Sequence, residues 1–117
     1  MEVQIFGVKK SADTRKALRF FAERRVRTHF VDFDERAPAL GELNRFVQKF
    51  GVDALVDREG KVFAEMGLRY STFSDQRMLE KIMDEPRLLR LPLARQIGGK
   101  GLTVGLAEGE WKDWIGK

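Results

Sequence analysis

The sequence of 117 residues contains no cysteine. That absence excludes disulfides, thiol redox chemistry and zinc–thiolate sites together. One histidine, His29, is too few for a histidine metal cluster, so neither a metal site nor a cofactor is expected. No apolar run is long enough to cross a bilayer, and Val3 to Phe6 already reads as a strand, so no leader peptide is expected ahead of it. Membrane association is not expected, and the cytoplasm is the expected setting. A strong charge of one sign is missing too. The 22 basic and 18 acidic residues leave a net charge of +4, a mixed surface whose mild excess favours anions or acidic protein faces. Nucleic-acid binders concentrate basic residues more heavily, so direct nucleic-acid binding is not expected.

What the chain does have is a globular composition, 43% hydrophobic against 34% charged residues. A chain of this length suits one compact domain, 1–117, that buries roughly two-thirds of its unfolded surface. The organising stretch is Val3 to Ala17: an apolar strand, a short loop, and the start of a helix running on through Leu18 and Phe21. A helix that begins at the end of a strand directs its unpaired N–H groups and its positive dipole end into the space above that strand. Such a place attracts an anion or activates a thiolate. Lys9, Lys10 and Arg15 add positive charge there, so Lys9, Lys10, Ser11, Ala12, Asp13, Thr14 and Arg15 form the candidate anion site. Asp13 and Thr14 also suit a plain capping role, Asp13 as a first-turn carboxylate and Thr14 as a further capping hydroxyl.

Along the first helix, expected from Thr14 to Arg24, Ala17, Leu18, Phe21 and Ala22 recur at helical spacing. Arg27 to Phe33 is rich in strand formers and is expected to pair parallel to the first strand, with Val3–Ile5 and Val31–Phe33 central. His29 falls inside this strand as a structural residue. Pro38 suits the first position of a second helix whose face is Leu40, Leu43, Val47 and Phe50 and whose stop is Gly51. Val52 to Val56 forms a short turn or helix, and a weak helix with Val62, Phe63 and Met66 ends at Gly67. Ser74 caps another helix, buried along Met78, Leu79, Ile82 and Met83. Residues 38–90 thus read as a helical insertion. Leu91 to Ile97 and Leu102 to Gly105, joined by a glycine-rich turn, make an antiparallel hairpin. A last helix from Glu108 to Ile115 carries Trp111 and Trp114 as core anchors.

This order resembles the thioredoxin-like fold of the arsenate reductase (ArsC) and Spx family: α/β, with a mixed four-stranded sheet of two N-terminal strands and a C-terminal hairpin, and a helical insertion. The resemblance rests on Ser11 to Ala17, Ala54 to Leu68, Pro86 to Pro92 and Leu102 to Gly105. It implies a reactive cysteine at the start of the first helix. Anchored on Arg15-Lys16-Ala17, the cysteine position falls on Ser11, with Thr14 at the second position of the Spx Cys-x-x-Cys pair; anchored on Asp13-Thr14, it falls on Ala12. The resemblance also implies a cis proline at Pro92. The three arginines that hold the oxyanion in arsenate reductases fall at Asp57, Leu91 and about Val104. Arg58 and Arg90 are one residue away and point to the other face of an extended segment, so they are not replacements.

The Leu88-Leu89-Arg90 run and Val104-Gly105 are more similar to the Spx branch, whose members bind RNA polymerase, and Gly51 matches a glycine used at that contact. Gly51 and Arg90 are therefore the partner-binding positions that the resemblance implies. Two functions stand against each other: a redox-silent protein that acts by binding a protein partner or a small oxyanion, and an enzyme that uses Ser11 or an oxyanion pocket. A serine without an adjacent base is a weak nucleophile, and the non-enzymatic reading is preferred.

Overall fold

A computed structural model of the chain describes residues 1–116. It divides into two compact units, residues 1–36 with 91–116, and residues 37–90.

The first unit is built on a four-stranded sheet. Strand β1 (Glu2–Gly7) leads through a short turn into helix α1 (Ala12–Glu23), which returns to strand β2 (Arg27–Asp32). Strands β3 (Leu93–Ile97) and β4 (Leu102–Val104) and helix α6 (Glu108–Ile115) complete the unit. The sheet order is β2-β1-β3-β4. β1 runs parallel to β2, with Ile5 opposite Phe30, and antiparallel to β3, with Ile5 opposite Ala94. The β3–β4 pair is the expected hairpin. This is the thioredoxin-like arrangement, and it corrects one sequence expectation. Val31 is not central, because β3 takes the second edge of β1 and leaves β2 outermost; Phe33 lies just past the strand end, its N–H donating to the Gly7 carbonyl at 2.9 Å.

Strand alternation sends Val3 and Ile5 to one face, where they pack with Ala17, Phe20, Phe21, Ala94 and Trp111. Phe20, Phe21 and Trp111 meet in tilted and edge contacts at 5.1 to 5.5 Å between centroids. The polar end of Trp111 is satisfied as well, its Nε1–H donating to the buried Thr103 hydroxyl at 2.8 Å. In α1 the buried stripe is Thr14, Ala17, Phe20 and Phe21, whereas Ala22 is exposed. A large aromatic reaching the core outweighs the nominal spacing that had favoured Ala22.

The second unit is the helical insertion: α2 (Leu40–Phe50), α3 (Val52–Leu55), α4 (Lys61–Glu65), α5 (Asp75–Asp84) and a 3-10 turn, Pro86–Leu88. α3 packs on α2 and α5, and the 3-10 turn packs on α4 and α5. Its buried side chains include Leu43, Phe46, Val52, Leu55, Phe63, Met78, Ile82 and Leu88. Two expectations shift here. Pro38 is buried but precedes the helix by two residues, because Ala39 is the N-cap and the Glu42 carboxylate accepts the Ala39 N–H at 3.0 Å. Leu40 is exposed and Phe46 takes its place on the inner face, since the face of α2 is centred one turn further along. Ser74 caps α5 as expected, its hydroxyl accepting the Arg77 N–H at 3.2 Å.

Candidate functional site

The Ser11 loop forms where β1 runs out. Val8 is the last buried residue, Lys9 and Lys10 are exposed at the tip of a turn, and the Ser11 N–H closes that turn on the Val8 carbonyl at 3.1 Å. Ser11 is extended, with φ −74° and ψ 119°, and is the N-cap of α1: its hydroxyl accepts the Thr14 N–H at 3.1 Å. A serine does this well because its short side chain reaches the amide three residues on. The cap therefore falls on Ser11, and α1 begins at Ala12, two residues earlier than the sequence pattern suggested.

That shift changes the part played by Thr14. It stands in the first turn facing the sheet, fully buried, and its Oγ1 has no hydrogen-bond partner among the described residues. It does not cap the helix as expected, because its side chain points at β1. The space it occupies is opened by Gly7, where a Cβ would lie 2.4 Å from Thr14 Oγ1 and 2.7 Å from Cγ2. Gly7 was not singled out from the sequence, and the signal was there: a glycine ending a strand that faces the first turn of the following helix.

The remaining residues divide by what holds them. Arg15 folds back, its Nη1 donating to the Lys9 carbonyl at 2.7 Å, and so fastens the loop to the helix. The N–H groups of Ala12 and Asp13 have no acceptor among the described residues, while that of Thr14 is consumed by the cap. Two backbone donors, the dipole of a twelve-residue helix and the charges of Lys9, Lys10 and Arg15 thus converge at this loop, with the half-buried Asp13 opposing them. The arrangement can attract a small anion. It offers a nucleophile no help: the Ser11 hydroxyl is engaged as a cap, and the one imidazole, His29, hydrogen-bonds the Glu2 carboxylate at 2.6 Å. That bond holds the Glu2 carboxyl below its ordinary value of 4.5, against the opposing effect of desolvation.

Pro92 lies one step beyond the Phe6–Leu93 pair of the ladder, at the same end of the sheet as the Ser11 turn. The Leu91–Pro92 peptide is cis, as the resemblance implied, and the Pro92 carbonyl accepts the Gly105 N–H at 2.8 Å. The positions that the resemblance aligns with the oxyanion arginines carry other residues. Leu91 is buried, Val104 pairs with Leu93 in the sheet, and Asp57 of the second unit donates its N–H to the Leu88 carbonyl at 2.9 Å. Arg58 pairs with Asp53 and lies over the Phe63 ring.

Within the second unit, Gly51 ends α2 at φ 81° and ψ 157°, a conformation open essentially to glycine alone. A Cβ there would meet nothing within 4 Å, so backbone conformation, not crowding, demands the glycine. Arg90 holds its segment through its N–H, which donates to the Leu55 carbonyl at 2.7 Å, and its side chain is exposed. No group of three or more metal-ligating side chains occurs among the described residues, and none of their helices is long and apolar enough to cross a membrane.

Known proteins give this geometry a context. The chain is 26% identical over 117 residues to the global transcriptional regulator Spx 2 of Oceanobacillus iheyensis, a match spanning 98% of this chain and 84% of that protein. It is 26% identical over 95 residues to an arsenate reductase of Neisseria meningitidis serogroup A, spanning 79% of this chain and 81% of the relative. Among solved structures, an arsenate reductase from Vibrio cholerae superposes with a TM-score of 0.74 over 90% of each chain at 22% identity, a likeness of fold alone. The sequence profile of the ArsC family matches residues 6–114, so the chain is a cysteine-free member of the ArsC family.

Proposed function

We propose that this ArsC-family chain acts by binding and not by thiol redox chemistry, in the cytoplasm, with a regulatory protein or a small oxyanion as its ligand. One observation carries the reading. At the place where the family's chemistry is expected stands a serine whose hydroxyl oxygen caps α1, and the chain's one imidazole is bonded to Glu2 instead. What persists is attraction for negative charge, from Lys9, Lys10 and Arg15 and from the free N–H groups of Ala12 and Asp13. The similarity to an Spx regulator over nearly the whole chain supports a macromolecular partner, with RNA polymerase the partner that the resemblance suggests and Gly51 and Arg90 its contact positions.

The test pairs a capture with an assay. Tagged protein used as bait in its native cell extract is expected to retain a specific partner that an Arg90→Glu bait loses, and the purified protein is expected to reduce no arsenate with glutathione and glutaredoxin supplied. Turnover above a blank, or a bait that retains nothing specific while sulfate fails to bind the Ser11 loop, defeats the proposal.

A further inference from the structure

Among the described residues the excess of positive charge lies in one unit. Residues 1–36 with 91–116 carry twelve basic and nine acidic residues, whereas residues 37–90 carry nine of each. Within the first unit the excess gathers on the solvent side of α1 and the turn before it. Lys9, Lys10, Arg15, Lys16 and Arg19 are all exposed within eleven residues, as are the small side chains of Ala12 and Ala22. Lys9, Lys10, Lys16 and Arg19 form no ion pair with any described residue, and Glu23, though four residues on from Arg19, is not bonded to it.

This placement works against the helix. Cations stabilise a helix near its C-terminus and oppose the dipole near its start. Here Lys9 and Lys10 precede α1, Arg15 and Lys16 lie near its beginning, and the last turn holds no basic residue. Nor do i, i+4 carboxylates neutralise them. A cationic face without internal ion pairs is free to meet negative charge outside the chain.

Beside Lys16 and Arg19 the surface dips into a groove of about 190 Å³ lined by those two residues with Phe20, Glu23, Arg24 and Glu108. Its floor is aromatic, with the Arg24 guanidinium stacked 3.8 Å above the Phe20 ring and donating to the Phe20 carbonyl. Two of its lining residues, Glu23 and Glu108, are carboxylates. A phosphodiester chain would meet Glu23 and Glu108 as repulsion, whereas a peptide offers carboxylates to the cations and N–H groups to the glutamates.

We propose that the outer face of α1, centred on Lys16 and Arg19 and continued by Lys9 and Lys10, is a docking surface for an acidic segment of a protein partner. The inference deepens the binding reading above and rests on it, but it concerns a different set of residues from the Ser11 backbone donors.

The experiment is fluorescence anisotropy with a labelled glutamate-rich peptide of about one helix face in length, titrated with the full chain at low salt. Binding is expected to weaken steeply as ionic strength rises past the point where the Debye length falls below ~10 Å. A Lys16→Glu/Arg19→Glu variant, folded by circular dichroism, is expected to lose roughly tenfold or more in affinity, mostly through slower association. A control reversal in the other unit, Arg45→Glu/Arg77→Glu, is expected to change little. Equal loss in the control, no binding of the peptide, or tighter binding of an oligothymidylate or of phosphatidylserine vesicles than of the peptide overturns the proposal. The Lys16→Glu/Arg19→Glu protein as bait in cell extract separates this inference from the one beneath it: a specific partner still retained by that bait removes the α1 face and leaves the binding function standing.

Discussion

Replacing Gly7 by alanine probes the contact that seats α1 on the sheet. The added Cβ would stand 2.4 Å from Thr14 Oγ1, 2.7 Å from Cγ2 and 3.1 Å from Cβ, and Thr14 is fully buried, so its side chain has nowhere open to turn. Either α1 lifts from β1 or Thr14 leaves its rotamer, an overpacking cost of about 1–3 kcal/mol. Against this, alanine at the end of the strand recovers at most about 0.5–1 kcal/mol of the backbone entropy that glycine costs. The clash wins, and Gly7→Ala is expected to destabilise by about 1–2 kcal/mol in urea unfolding. The double variant settles the mechanism. Thr14→Ala removes both clashing atoms and the buried hydroxyl that lacks a partner, so Gly7→Ala/Thr14→Ala is expected to recover most of the loss, with a coupling energy of about 1–2 kcal/mol. A Gly7→Ala protein as stable as the parent, or additive effects in the double variant, would refute the close packing of strand and helix at this point.

The same loop gives a chemical prediction: the thiol of a Ser11→Cys variant, titrated by thiolate absorbance, is expected to ionise modestly below the roughly 8.5 of a free cysteine, because the dipole and Lys9 and Lys10 favour the thiolate while Asp13 opposes it. A value at or above 8.5 contradicts the local field described here. At the start of β1, the lowered Glu2 carboxyl contributes stability that is present above its ordinary value of 4.5 and lost as pH falls through the lower folded value. Urea midpoints of the parent and Glu2→Gln proteins are thus expected to differ at neutral pH and to converge in acid; parallel curves down to strongly acidic pH count against the His29 bond as the cause. Trp111→Phe leaves the Thr103 hydroxyl without its donor in a sealed core and removes ring volume, and a loss of about 2–4 kcal/mol in thermal or urea unfolding is expected. A loss near zero would mean that the Trp111 pocket is not closed.

Sequence alone determined the plan of elements, because it is written in local chemistry. Alternating and helical apolar spacing set the strands and helices, the Ser74 hydroxyl marks the start of α5, and Gly51 ends α2 where only glycine fits the backbone. The loss of thiol chemistry was equally legible, since no fold can supply an atom the chain does not contain. Tertiary structure decided what depends on neighbours distant in sequence. The rank of β2 as an edge strand followed from β3 taking the far side of β1, more than eighty residues on. The inward turn of Thr14 followed from the absence of a Cβ at Gly7, and the exchange of Ala22 for Phe20 and of Leu40 for Phe46 followed from which side of each helix met the core. Periodicity fixes a helix's angular pattern to within a residue or so, but the angle at which that pattern docks is chosen by the packing of all the elements together, and that choice separates a capping hydroxyl from a buried one and a free N–H from a spent one.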